Sequence, residues 1–165
     1  MKIGFKYSDK RYRISRTLHW TTFIVLGISA WYAYPHGFLV SKVNMTAHID
    51  WSWIATGVVA CRIAWRLYSH VYSHGPKGTD QAPPLVKAFK VLADVLRVIP
   101  LLITATGVGV IWSLGRDVLA FGVPVATELA ERSQDLQTAM EVAHIGLWYL
   151  FVALLALHVI MALER

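Results

Sequence analysis

The chain has 165 residues, 56% of them hydrophobic and only 16% charged, with 16 Lys and Arg against 10 Asp and Glu for a formal net charge of +6. Its mean hydropathy is positive. That balance excludes an ordinary soluble domain, which at this length would need far more polar surface, and it argues for a membrane protein.

The apolar residues gather into four runs, expected as helical spans over about 17–34, 48–67, 94–114 and 142–163. Each approaches the roughly 20 residues that cross a bilayer core as a helix. A buried soluble helix is the alternative for any one run, but four leave almost no polar face to meet water. The first run lies in "RISRTLHWTTFIVLGISAWYAY" and opens with His19. An imidazole at the mouth of an apolar segment needs a hydrogen-bonding partner or a metal. Reading this run as a signal peptide would require cleavage, yet the basic leader is long and no small-x-small site precedes "WYAYPH".

The second run, "AHIDWSWIATGVVACRIAWR", brings His48, Cys61, Arg62 and Arg66. Cys61 is the single cysteine, so it excludes an intrachain disulfide and a C-x-x-C-H haem attachment. The connection "SHVYSHGPKGTDQAPP" carries the Gly and Pro punctuation of an exposed linker. After the third run comes an acidic stretch, "VATELAERSQDLQTAMEVAH", read either as a short interfacial helix or as a solvated loop. The fourth run holds His144 and His158.

Basic residues set the expected orientation. Lys2, Lys6, Lys10, Arg11, Arg13 and Arg16 precede the first span, and Arg62, Arg66, Lys77, Lys87, Lys90 and Arg97 flank the second connection. The first connection has Lys42, and the third only Arg116 and Arg132. The positive-inside rule then places both termini and the middle loop in the cytoplasm. Much of the positive charge is therefore topology, with no nucleic-acid motif beside it.

In that topology the four span histidines occupy two depths. His19 and His158 fall at the inner side, His48 and His144 at the outer side. The interval from His144 to His158 is about 40° short of four helical turns and about 21 Å in rise, so the two face one direction. Two histidines from facing helices, repeated at two levels of a four-helix bundle, suit planar cofactors in the bundle core, each held by two axial imidazoles as in a non-covalent haem. Zinc would want three or four ligands at one depth, and only Asp50 stands near, about 200° round the helix from His48. For any single histidine the plain alternative is an interhelical hydrogen bond.

Arg62 follows His48 at the same interval that separates His144 from His158, and so stands at the level where the propionates of an inner haem would need a cation. Arg66 and Arg16 stand one turn from Arg62 and His19. Snorkelling topology arginines are the alternative. Gly27, Gly57, Gly107, Gly109 and Gly146 offer flat surface for a porphyrin or a neighbouring helix. The seven Trp read as an aromatic belt. His36, His70 and His74 read as loop residues, His36 with a place at an outer donor site.

"LHW", "AHIDWSWIATGVVACRIAWR", "LAFGV" and above all "AHIGLWYLFVALLALH" with its paired histidines resemble the bacterial cytochrome b561 family over about residues 13–163. The resemblance implies an all-α, four-helix integral protein of the bacterial inner membrane, with two haem b groups exchanging electrons with quinone. It implies His19, His48, His144 and His158 as axial iron ligands. Members of such a family act as stand-alone superoxide oxidases or as cytochrome b subunits anchoring a hydrogenase or dehydrogenase. In the third connection Asp117, Glu128, Glu131, Asp135 and Glu141 oppose Arg116 and Arg132, a local balance of 2 minus 5, or −3. That charge would repel superoxide and attract a basic periplasmic partner. The expected function is therefore a di-haem electron carrier between a periplasmic redox protein or dehydrogenase subunit and quinone. Superoxide oxidation is the first alternative, and a haem-free transporter relaying protons through its histidines the second.

Overall fold

The computed structural model describes residues 3–33, 42–71, 84–126 and 133–163. Among these the order is α1 (Ile3–Ala33), α2 (Lys42–Val71), α3 (Pro84–Ser113), β1 (Val118–Ala120), β2 (Val123–Ala126) and α4 (Gln134–Leu163). The described residues are thus predominantly helical, and each expected span overlaps one helix, with Tyr34 outside the described residues and Leu114 just past the end of α3. Two of the helices, over Val86–Ser113 and Gln134–Leu163, are long and apolar enough to cross a membrane.

The chain divides into two compact units, Met1–Gly75 and Pro76–Arg165. In the first, α1 packs against α2. Among the described side chains of α1, Thr22, Val25 and Ser29 are buried, at helical spacings of three and four. They meet the α2 stripe that contains buried Ala55 and Val59. Small and β-branched residues on both stripes let the backbones approach closely. The hydroxyls inside the stripe bond back to the preceding turn, Thr22 to the Leu18 carbonyl at 2.6 Å and Thr56 to that of Ser52 at 2.8 Å. Neither of these hydroxyls is therefore left seeking water.

In the second unit α3 packs against α4. Leu92, Ile99 and Phe151 are buried at the contact, while Leu102, Ile145, Leu150 and Ile160 face outward. A helix apolar on its outer side as well as its inner one is one that lipid or protein must cover. Pro100 lies inside α3 without ending it; its missing N–H leaves one carbonyl of the preceding turn without the usual helical donor.

The α3–α4 junction explains two departures from the sequence reading. α4 begins at Gln134, well before the expected span, because Ser133 caps it: its hydroxyl accepts the Leu136 N–H at 3.4 Å, with Asp135 in the first turn. Ser133 also donates its own N–H to the Ser113 carbonyl at 3.2 Å, tying the start of α4 to the end of α3. Upstream, Val123–Ala126 is a strand of a two-stranded antiparallel hairpin, so the first two residues of the acidic stretch, Val125 and Ala126, belong to a strand, and residues 127–132 lie outside the described residues. The apolar, β-branched run "VLAFGVPV" favours strands, and Phe121 and Gly122, at φ 53° and 78°, form a turn with both central residues left-handed. Holding a non-glycine residue there costs about 1–2 kcal/mol. Glu128, Glu131 and Arg132 lie outside the described residues.

Candidate functional site

All four span histidines point at a neighbouring helix within their own unit. On α2, His48, Ala55 and Arg62 recur at intervals of seven, and on α4 so do His144, Phe151 and His158. A seven-residue repeat is the interval that stays on the seam of two supercoiled helices, which removes the drift of a straight helix. The contacts keep register in antiparallel fashion. His144 meets Ile103 of α3, and His158 meets Phe89, which lies as far back along α3 as His158 lies forward along α4.

The His48 ring is half-buried, with Nδ1 2.9 Å from the Ser29 carbonyl and 3.2 Å from the Ser29 hydroxyl. Ser52 donates its hydroxyl to the His48 carbonyl at 2.7 Å, and Ser29 stands 2.9 Å from Ser52. With the Ser52 proton committed, Ser29 donates to Ser52 and accepts from His48. A carbonyl can only accept. Nδ1 of His48 therefore carries the proton, and Nε2 carries the lone pair.

His144 repeats this arrangement in the second unit. Its Nδ1 lies 2.8 Å from the Ile103 carbonyl and 3.3 Å from the Thr106 hydroxyl. Thr106 spends its own proton on the Leu102 or Ile103 carbonyl, each at 2.9 Å. Again Nδ1 donates and Nε2 is left as the Lewis base. A backbone carbonyl fixing one imidazole nitrogen so that the other can bind a metal is the usual support of a histidine ligand.

His19 differs. Its Nδ1 is 2.8 Å from Nη2 of Arg62. A guanidinium can only donate, so Nδ1 accepts and the ring proton sits on Nε2. Arg62, the residue expected at the level of the inner propionates, meets His19 through its guanidinium. His158 stacks on Phe89 with ring centroids 4.6 Å apart and planes 19° from parallel, and its Nδ1 is buried. Arg16 is exposed on α1 and Arg66 half-buried on α2, one turn from His19 and Arg62 respectively.

The glycines separate by role. A Cβ on Gly107 would stand 3.0 Å from Cε1 and 3.2 Å from Nδ1 of His144, and one on Gly109 would stand 2.8 Å from the Met140 sulfur. These two admit side chains of α4. Around Gly27, Gly57 and Gly146 the same position meets nothing within 4 Å among the described residues. His70 belongs to α2 and not to a loop, while His36 and His74 lie outside the described residues. Sequence reasoning missed Ser29, Thr106 and Phe89. The signal for the first was present, since Ser29 is the polar residue in "VLGISAW" at a buried helical spacing from Thr22 and Val25.

Among the described residues no three His, Cys, Asp or Glu side chains gather into one group. A haem iron with two axial imidazoles asks for no such group. No protein-family model matches the chain, and no curated protein matches it either.

Proposed function

We propose that the chain is a membrane di-haem b-type cytochrome of the cytochrome b561 kind, passing electrons between a periplasmic donor and the quinone pool. The observation that carries this reading is the shared support of His48 and His144, each with Nδ1 on a backbone carbonyl and a hydroxyl of the adjoining helix and Nε2 left basic. Two unrelated helix pairs build the same ligand-ready tautomer. An interhelical hydrogen bond alone would be served equally well by either nitrogen.

In this proposal the two helix pairs associate as a four-helix bundle in the bacterial inner membrane with both termini cytoplasmic, an orientation drawn from the basic residues of the sequence. His48 and His144 hold the outer haem, and His19 and His158 the inner one. Bound there, haem supplies reversible one-electron chemistry. The protein's own residues fix the imidazoles, exclude water and balance charge. At the inner level, His19 would hold haem through Nε2 with its ring proton on Nδ1; since two donors cannot face each other, Arg62 would then be available to a carboxylate, with Arg66 and Arg16 near.

The test is a redox assay on the purified chain in vesicles. Quinol should reduce its haem, read as growth of the reduced α band. A cationic protein donor should do so at a rate that falls as salt rises, because exposed charges are screened over about 8–10 Å at physiological ionic strength. Quinone reduction driven by superoxide near the diffusional limit would replace the carrier with the stand-alone enzyme. Proton movement without any haem absorbance would replace it with the transporter.

A further inference from the structure

We propose that the hairpin Val118–Ala126 is a lipid anchor whose Phe121–Gly122 tip enters the bilayer interface at the end of α3. The inference rests on reading α3 and α4 as membrane spans. Those two helices are long and apolar enough for it, and the Ser133 N–H bond to the Ser113 carbonyl joins the end of one to the start of the other. The hairpin emerges from that junction. Its base is fixed, since Ser113 and Val118 are fully buried. Trp112 is exposed in the last turn of α3, in the position that an interfacial aromatic takes.

From Val118 to Ala126 the sequence "VLAFGVPVA" has no polar side chain, and Leu119, Phe121, Val123 and Val125 are 41%, 60%, 61% and 52% exposed. In water such a hairpin would be an aggregation edge. Leu102, Ile145 and Leu150 on the helices of the same unit are likewise apolar and exposed, and lipid must cover them if those helices span. Exposed Arg116 and Asp117 immediately precede it, where headgroups and water would meet them. The tip is also held against local preference: a left-handed turn residue is ordinarily Gly, Asn or Asp, yet Phe121 stands there at φ 53°. Strain of this kind persists where the displayed side chain is used. Among the described residues the sheet has two strands, and an open two-stranded ribbon is not a structure that spans hydrocarbon, so insertion is shallow.

Cys61 is the single cysteine, so a Cys61→Ser background allows one spin label at a time. Labels at Asp117→Cys, Val123→Cys and Leu150→Cys would be compared in phosphatidylcholine–phosphatidylglycerol vesicles by collision with oxygen, which partitions into lipid, and with a water-soluble nickel chelate. The oxygen-to-nickel ratio should be lowest at 117, several-fold higher at 123 and highest at 150. Adding Phe121→Asn, which suits the left-handed turn but removes the apolar tip, should drop the ratio at 123 toward that at 117. An aqueous ratio at 123 with an apolar one at 150 overturns the anchor and leaves the spans standing. Shielding of 123 from both collision partners overturns it in favour of a protein partner or a second copy. An aqueous ratio at 150 overturns the span reading, and the anchor with it.

Discussion

Replacing Gly107 with Ala separates ligand support from helix stability, because the two effects have opposite signs. The new methyl would stand 3.0 Å from Cε1 of His144, where ordinary contact begins at 3.4 Å, so the ring must give by a few tenths of an ångström. If that motion lies along the bond from Nδ1 to the Ile103 carbonyl, the 2.8 Å contact lengthens by the same amount and is weakened without being lost. The cost is a fraction of the roughly 0.5–1.5 kcal/mol that such a bond contributes. Against it, Ala in a helix interior gains up to about 1 kcal/mol over Gly. Thermal unfolding of the haem-free chain should therefore change by less than about 1 kcal/mol. The outer haem should suffer, since such a displacement approaches the tolerance of about 0.5 Å within which a ligand constellation must be held. Disturbed support of a histidine ligand typically costs about 10- to 100-fold in affinity. The assay is a redox titration followed optically, in which the outer component should shift or lose amplitude while the inner one keeps its midpoint. Gly146→Ala, with nothing within 4 Å of the new methyl among the described residues, should change neither component. A shift confined to the inner component, or equal effects of the two substitutions, would refute the assignment of His144.

The remaining expectations concern the other supports. Ser29→Ala removes one acceptor from His48 and the donor to Ser52 but keeps the Ser29 carbonyl, so the outer haem should bind more weakly, less so than in His48→Ala; quantitative haem titration of both variants checks the order. Phe89→Ala uncovers one face of His158. It should cost about 0.5–1.5 kcal/mol of aromatic pairing in addition to lost packing, with broadening of the inner component alone in the titration. Arg62→Gln removes the cation near His19; if Arg62 serves propionates once haem is bound, the inner midpoint should become more negative, because a nearby positive charge favours the reduced form. An unchanged midpoint would assign Arg62 to the histidine alone.

Hydropathy located the four helices because apolar runs of about 20 residues have few other uses. It did not locate their ends: α4 starts at a capping serine within a polar stretch, and α3 begins at Pro84, where the run is still partly charged. The spacing of His144 and His158 announced a shared face, and the structure supplies that face as the α3 seam. The hydroxyl and carbonyl partners were less legible, since backbone carbonyls leave no mark in a sequence. The His19 partner of Arg62 was illegible for a related reason: the spacing from His48 fixes a position along the helix, but a long flexible side chain reaches more than one partner. The hairpin escaped because its turn uses Phe where Asn or Gly would have advertised it.

The most direct measurement is haem stoichiometry by pyridine haemochrome on the purified chain, together with the reduced-minus-oxidised spectrum of the wild type and of His144→Ala and His158→Ala. The account predicts two low-spin haem b groups per chain, with the first variant losing the outer component and the second the inner one, each keeping the other. A wild-type stoichiometry of zero or one, or loss of the same component in both variants, would contradict it.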